Sequence, residues 1–246
     1  MNGNGKIYVI GLGPGNRQHT TPAAIEAIGQ SGVIVGYNTY IELIEDLLTD
    51  KKVVFSGMRK EVDRCTQAFN YASQGEIVSL ISSGDAGVYG MAGIMNEVLM
   101  KKGSNIEIEI VPGITAANAA ASILGAPIMH DYVTISLSDL LTDWKLIKKR
   151  LHCGGEGDFV ICIYNPKSKG RQDHIKEARD ILLKYKRKDT PVGIVRNAKR
   201  EKEGYILTTL EHMLDYEIDM VTVVIVGNSH TYIANNRMIT PRGYRL

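Results

Sequence analysis

Short runs of β-branched and aliphatic residues alternate along this chain with stretches whose apolar positions recur every three to four residues. Continuous or period-two apolar runs mark strands and 3.6-residue stripes mark helices, so their alternation predicts βαβ units, parallel strands and an α/β fold. Strands are predicted at 6–10, 33–35, 53–55, 77–82 and 106–111. Between them, Thr21 caps a helix that opens on Pro22 and lays Ala24, Ile25 and Ile28 on one face. Tyr40, Ile41, Leu43, Ile44, Leu47 and Leu48 recur at helical spacing, and further helices are expected over 61–73 and 92–101.

After Pro112 and Gly113, the small residues of 116–124 suit a helix packed closely against a neighbour. The segment 124–131 carries Gly125 and Pro127 and then the pattern restarts, which predicts an N-terminal α/β domain over 1–124 and a C-terminal one over 125–246. Strands are expected at 132–136, 159–164, 192–196, 204–208 and 222–227, with one helix at 173–186. Because 197–203 is too short for a helical crossover, the strands flanking it should pair antiparallel. The first sheet is therefore expected to be mainly parallel and the second mixed.

Of the 246 residues 44% are apolar and 23% charged, a composition that excludes disorder as the main state. The 29 lysines and arginines face 27 acidic residues, and a net charge of +2 gives no field that would make nucleic acid or an anionic membrane the default partner. The apolar runs 159–164 and 221–226 fall far below the ~20 residues of a membrane helix, and the first strand lacks the flanks of a secretory signal, so a cytoplasmic location is expected. Cys65, Cys153 and Cys162 form no Cys-x-x-Cys pair and read as buried, inert thiols. Histidines 19, 130, 152, 174, 212 and 230 show no metal-ligand spacing, and no serine or cysteine sits in a nucleophile motif.

Candidate chemistry concentrates in loops that follow strands. Gly11-Leu12-Gly13-Pro14-Gly15 lets the backbone approach a ligand, but Asn16 replaces the third glycine of a dinucleotide fingerprint, and no acidic residue ends the second strand at Val35-Gly36-Tyr37. On pattern alone, a tight loop at a sheet edge explains it better. Gly84-Asp85 sits at a carboxyl edge where open α/β sheets bind ligands, with a turn-forming aspartate as the alternative. Thr115 begins a helix and could simply cap it. In the second half, Lys167, Lys169 and Arg171 place three cations in five residues after an apolar strand, fitting a polyanionic ligand or a solvated loop. His130 beside Asp131 is a candidate acid/base pair or ordinary joint structure.

Taken together, Gly11 to Gly15, Gly84-Asp85 and Pro112 to Ala116, in this order and spacing, resemble the tetrapyrrole methylases, a family of S-adenosylmethionine-dependent enzymes of class III methyltransferase-like fold. The segments 33–41, 129–139, 161–171, 193–200 and 240–244 are similar to one branch, the C17-methyltransferases of precorrin-3B or cobalt-factor III in cobalamin (vitamin B12) synthesis. Ala86, where other branches place proline, agrees with that branch. The resemblance implies two α/β domains with S-adenosylmethionine in the cleft between them, a homodimer, and S-adenosylhomocysteine as product. By motif, it implies cofactor contacts from Gly84, Asp85, Val88, Thr115, Ala116, Asn165 and Ala198, and a tetrapyrrole facing Gly11, Gly13, Pro14 and Gly15. It also implies cations for the substrate's carboxylates, which Arg17, Arg59, Lys60, Lys167, Lys169 and Arg171 could supply. A proton acceptor or donor for ring contraction could come from His130, Asp131 or a side chain of the substrate, and the sequence does not choose among them. Rival readings are a methylase of the same fold acting on RNA or protein, and a tetrapyrrole carrier without turnover.

Overall fold

The computed structural model describes residues 5–57 and 60–245. By contacts the chain divides into two compact units, Met1–Thr115 and Ala116–Leu246. The division falls ahead of the small-residue helix rather than after it, as the expected boundary at 124/125 would have it. The reason is packing: Ala117, Ala120, Ala121 and Leu124 are buried against Val160, Cys162, Val195 and Ile225 of the second unit.

The first unit contains β1 (Lys6–Gly11), α1 (Pro22–Gln30), β2 (Val33–Tyr37), α2 (Asn38–Glu42), β3 (Lys52–Ser56), α3 (Glu61–Ala72), β4 (Ile77–Ser82), α4 (Ala92–Lys102) and β5 (Glu107–Val111). Its sheet has the order β3-β2-β4-β1-β5 and every pairing is parallel, as the βαβ pattern predicts. The central strands are apolar on both faces because helices cover both. Ile7, Val9, Val78 and Leu80 pack on the side of α3 and α4, and Ile10, Ile34 and Ile81 pack with Ala24 and Ile28 of α1. Thr21 caps α1 as expected, its hydroxyl accepting from Ala24 N at 3.1 Å. The helical pattern after residue 40 yields only α2 and a 3-10 turn at Glu45–Leu47.

The second unit runs α5 (Ala116–Leu124), β6 (Gly125–Ala126), β7 (Tyr132–Ser136), α6 (Trp144–Glu156), β8 (Val160–Tyr164), α7 (His174–Leu182), β9 (Pro191–Arg196), β10 (Gly204–Thr209), β11 (Thr222–Val226), β12 (Tyr232–Ala234) and β13 (Arg237–Ile239). The main sheet, β10-β9-β11-β8-β7, is mixed: β7 and β8 are parallel, while β8–β11, β11–β9 and β9–β10 are antiparallel. Four elements were not expected from the sequence. Helix α6 supplies the crossover that the parallel β7–β8 pair requires, and a hairpin of β12 and β13 pairs with β6.

Candidate functional site

In the first unit the carboxyl ends of β4, β1 and β5 lie side by side, so the loops after them share one edge. Gly13 and Gly84 form a two-way backbone bridge, with Gly13 N donating to Gly84 O at 3.0 Å and Gly84 N to Gly13 O at 2.7 Å. A Cβ on Gly113 would stand 2.2 Å from the Gly84 carbonyl oxygen and 2.5 Å from that of Gly11, so the three loops touch backbone to backbone. Asp85 joins them: Oδ1 accepts from Gly87 N at 2.8 Å and Oδ2 from Gly113 N at 2.9 Å. Its carboxylate thus fixes the β4 loop to the β5 loop and keeps one further lone pair on each oxygen for a ligand.

The structure brings most of the first-unit candidates to this edge. Gly11, Gly13, Pro14 and Gly84 are buried within the loop stack; Gly15, Asp85, Val88 and Thr115 are half-buried. Arg17 is exposed and pairs with Asp46 at 3.4 Å, and Lys60 pairs with Asp63 at 3.2 Å. Arg59 lies outside the described residues.

In the second unit, β7, β8 and β9 end at one common edge, because β9 is antiparallel to β11 and β11 to β8. Asn165 and Ala198 follow β8 and β9 there. Asn165 has a left-handed backbone (φ 49°), and its Nδ2 donates to Ser136 Oγ at the end of β7 at 2.9 Å. The Tyr164 hydroxyl accepts from Ala117 N at 2.8 Å and so holds the first turn of α5, with Ala116, to the end of β8. Lys167 is half-buried and Lys169 exposed.

Two expectations are corrected. Arg171 does not face solvent beside the lysines: its side chain is 9% exposed, and Nη1 lies 3.6 Å from Asp139 Oδ1, because a guanidinium withdrawn from water takes the nearest carboxylate. His130 and Asp131 precede β7 and stand at the opposite edge of the second sheet from Asn165 and Ala198. At about 3.3 Å per strand residue that separation is roughly 20 Å, so one reacting carbon cannot meet both groups. Both side chains are exposed, and His130 Nδ1 accepts from Asp131 N at 2.8 Å, a local turn contact.

Most groups whose charge is perturbed lie away from these loops; the exception is Arg196, the last residue of β9, whose guanidinium is raised by its hydrogen bond to Asp219 at 2.7 Å. Burial pushes the Cys65 and Cys162 thiols up to about 12, which makes them inert, whereas Cys153 is exposed, contrary to expectation. The buried Lys186 ammonium donates to Phe159 O at 2.9 Å and to Asp158 at 3.4 Å. Among the described residues no cluster of three potential metal ligands occurs, and no helix is long and apolar enough to cross a membrane. Sequence reasoning missed the contacts of Asp139, Trp144 and His174 around Arg171. The apolar residues flanking Asp139 and the aromatic Trp144 were the available signals.

The arrangement is poor in nucleophiles and rich in ordered backbone, which suits a site that positions two reactants. Comparison with known proteins agrees. The sequence profile described as Tetrapyrrole (Corrin/Porphyrin) Methylases matches residues 6–214. A cobalt-factor III methyltransferase of Priestia megaterium is 53% identical over 245 residues, covering 98% of this chain and 45% of that protein, so the chain spans less than half of that relative's length. A probable cobalt-factor III C(17)-methyltransferase of Salmonella typhimurium is 52% identical over 98% of this chain and 100% of its own. Among solved structures, that of the methyltransferase CobJ superposes with a TM-score of 0.91 at 35% identity, covering 96% of this chain and all of the other. By sequence profile and by fold, this chain belongs to the tetrapyrrole methylase family.

Proposed function

We propose that the protein transfers a methyl group from S-adenosylmethionine to C17 of cobalt-factor III and couples this to contraction of the macrocycle in cobalamin synthesis. The observation that carries the reading is the loop stack of Gly11, Gly84 and Gly113 tied by Asp85, packed so closely that a Cβ on Gly113 would force it apart, in a chain similar along nearly its whole length to cobalt-factor III methyltransferases. Gly84, Asp85, Val88 and Thr115 are proposed to hold the cofactor on the first unit, and Ala116, Asn165 and Ala198 on the second unit's own edge. Gly11, Gly13, Pro14 and Gly15 are proposed to face the tetrapyrrole, with Lys167 and Lys169 meeting its carboxylates.

The cofactor supplies an activated methyl on sulfonium. The protein's own part is alignment, which is worth effective molarities on the order of 10⁵–10⁸ M and needs no dedicated nucleophile. We propose further that the protein works as a homodimer in the cytoplasm, independent of nucleic acid and membrane; the net charge of +2 supports the last two points.

The test incubates the protein and S-adenosylmethionine with cobalt-bound and with metal-free tetrapyrrole separately and reads product mass and absorption spectrum. A product gaining one methyl group from the cobalt form, with the spectral change of a contracted ring, is expected. Turnover of the metal-free form alone reverses the substrate assignment. Binding without methyl transfer leaves a carrier.

A further inference from the structure

Around Arg171 the side chains form a continuous chain of contacts at the carboxyl edge of the second sheet. Arg171 Nη2 donates to the Asn165 carbonyl at 3.3 Å, Nη1 faces Asp139 at 3.6 Å, and the buried Nε has no hydrogen-bond partner. Asp139 also faces His174, with Oδ2 3.7 Å from Nε2. His174 Nδ1 lies 3.2 Å from the Leu137 carbonyl, and its ring stacks on Trp144 at 3.8 Å and 8°. Trp144 in turn donates from Nε1 to Glu177 at 3.1 Å. One end of this chain is thus packed against α6 and α7, and the other ends on Asn165.

From this geometry we infer that Asp139 and Arg171 are positioning residues: Arg171, held by Asp139, fixes Asn165 through its carbonyl instead of meeting substrate. The inference rests on the proposed role of Asn165 in cofactor binding and assigns Arg171 to that role's support. Three observations carry it. A left-handed conformation costs a non-glycine residue free energy, and Asn165 is held at both ends, by Ser136 on its side chain and by Arg171 on its backbone. Arg171 is nine-tenths buried, so a carboxylate of the substrate does not reach it in this conformation. Asp139 alone offers it a negative charge among the described residues, and His174 and Leu137 lock the loop that carries Asp139.

The experiment has a ligand-free arm and a ligand arm, using Asp139→Asn, Arg171→Lys and Arg171→Ala with the wild type. In the ligand-free protein the side-chain amide resonances of Asn165, assigned with Asn165→Asp, should shift in Asp139→Asn and Arg171→Ala. Unmoved resonances in folded variants overturn the inference whatever the protein binds. In the ligand arm, Arg171→Ala should weaken S-adenosylmethionine about tenfold or more, as expected for a lost charge-assisted hydrogen bond, with Arg171→Lys intermediate. Tetrapyrrole affinity and its salt dependence should stay as in the wild type. A selective loss of tetrapyrrole binding makes Arg171 a substrate cation and overturns the inference. Wild-type protein that fails to bind the cofactor defeats the functional reading instead, while the amide shifts still decide the positioning. Should Arg171→Ala not fold, Asp139→Asn carries both arms.

Discussion

At the scale of single residues, the pair of Asp158 and Lys186 shows how a buried cation is kept charged. Burial pushes the Lys186 ammonium below its ordinary value, and the neighbouring Asp158 carboxylate partly reverses this. Burial alone would raise the Asp158 carboxyl. Hydrogen bonds from Ser229 N at 3.0 Å and Ser229 Oγ at 2.5 Å, with the charge of Lys186, outweigh burial and hold it below its ordinary 3.8. A carboxyl depressed on folding adds stability that is present above its unfolded value and is lost as pH falls through the folded one. Stability should therefore drop below pH 3.8 in the wild type, and Asp158→Asn should flatten that drop. Asparagine tolerates the left-handed backbone at this position (φ 52°), so the variant isolates the charge. Although the Asp158 side chain is 44% exposed and partly screened by water, Lys186 is only 1% exposed and would keep the Phe159 carbonyl but lose its counter-charge, so the cost at neutral pH should be about 1–3 kcal/mol. Urea midpoints across the acid range check both statements, and an equal acid slope in the two proteins removes Asp158 from the account.

At the scale of elements, the same substitution should act in opposite directions at two glycines. Gly29 lies in α1 with nothing within 4 Å of a built Cβ, so Gly29→Ala should stabilise by about 0.5–1 kcal/mol through helix propensity. Gly113→Ala drives a methyl into two carbonyl oxygens of neighbouring loops, and backbone cannot swing aside as a side-chain tip does. It should cost about 1–3 kcal/mol and weaken cofactor binding, because the loops at the ends of β1, β4 and β5 must part. Thermal melts and calorimetry of the two variants decide it; a neutral Gly113→Ala would mean the stack is loose. The strands that build this edge were legible because β-branched runs stop at glycine, and the antiparallel β9–β10 pair followed from a link too short for a crossover. The tie through Asp85 was not legible, since a carboxylate accepting two backbone N–H groups leaves no mark beyond a common turn residue. Helix α6 was hidden for a different reason. Its buried positions are Ile147 and Leu151, then Gly154 and Gly155, so half of its inward face carries no apolar side chain. Those glycines let Ile161 and Tyr185 approach the helix closely, a tertiary reason that periodicity does not register.

At the scale of the whole molecule, 29 cations against 27 anions leave almost no net field, so recognition of a polycarboxylate must come from where particular charges stand. With Arg171 turned to Asp139 and Arg196 to Asp219, the loop after β8 offers Lys167 and Lys169 at the second unit's proposed ligand edge, beside Lys199 and Arg200 of the loop after β9. Lys167→Ala with Lys169→Ala brings the chain to 27 against 27, a net of zero. Exposed charges interact over ~8 Å at physiological ionic strength, so a local contact and a global field make different demands. As a control, Lys101→Ala with Lys102→Ala removes the same two charges from the end of α4, next to the amino end of β5 and away from the loop stack. If Lys167 and Lys169 touch substrate carboxylates, their double variant should raise the tetrapyrrole dissociation constant about tenfold and flatten its dependence on salt, while the control leaves both unchanged. S-adenosylmethionine affinity should hold in both proteins, since the lysines are assigned to the other ligand. Equal losses in the two double variants would mean that net charge, not the loop after β8, draws the substrate in. A loss confined to S-adenosylmethionine would place Lys167 and Lys169 with the cofactor and leave the substrate's carboxylates to other cations, with Arg17 of the first unit and Lys199 after β9 the next to replace.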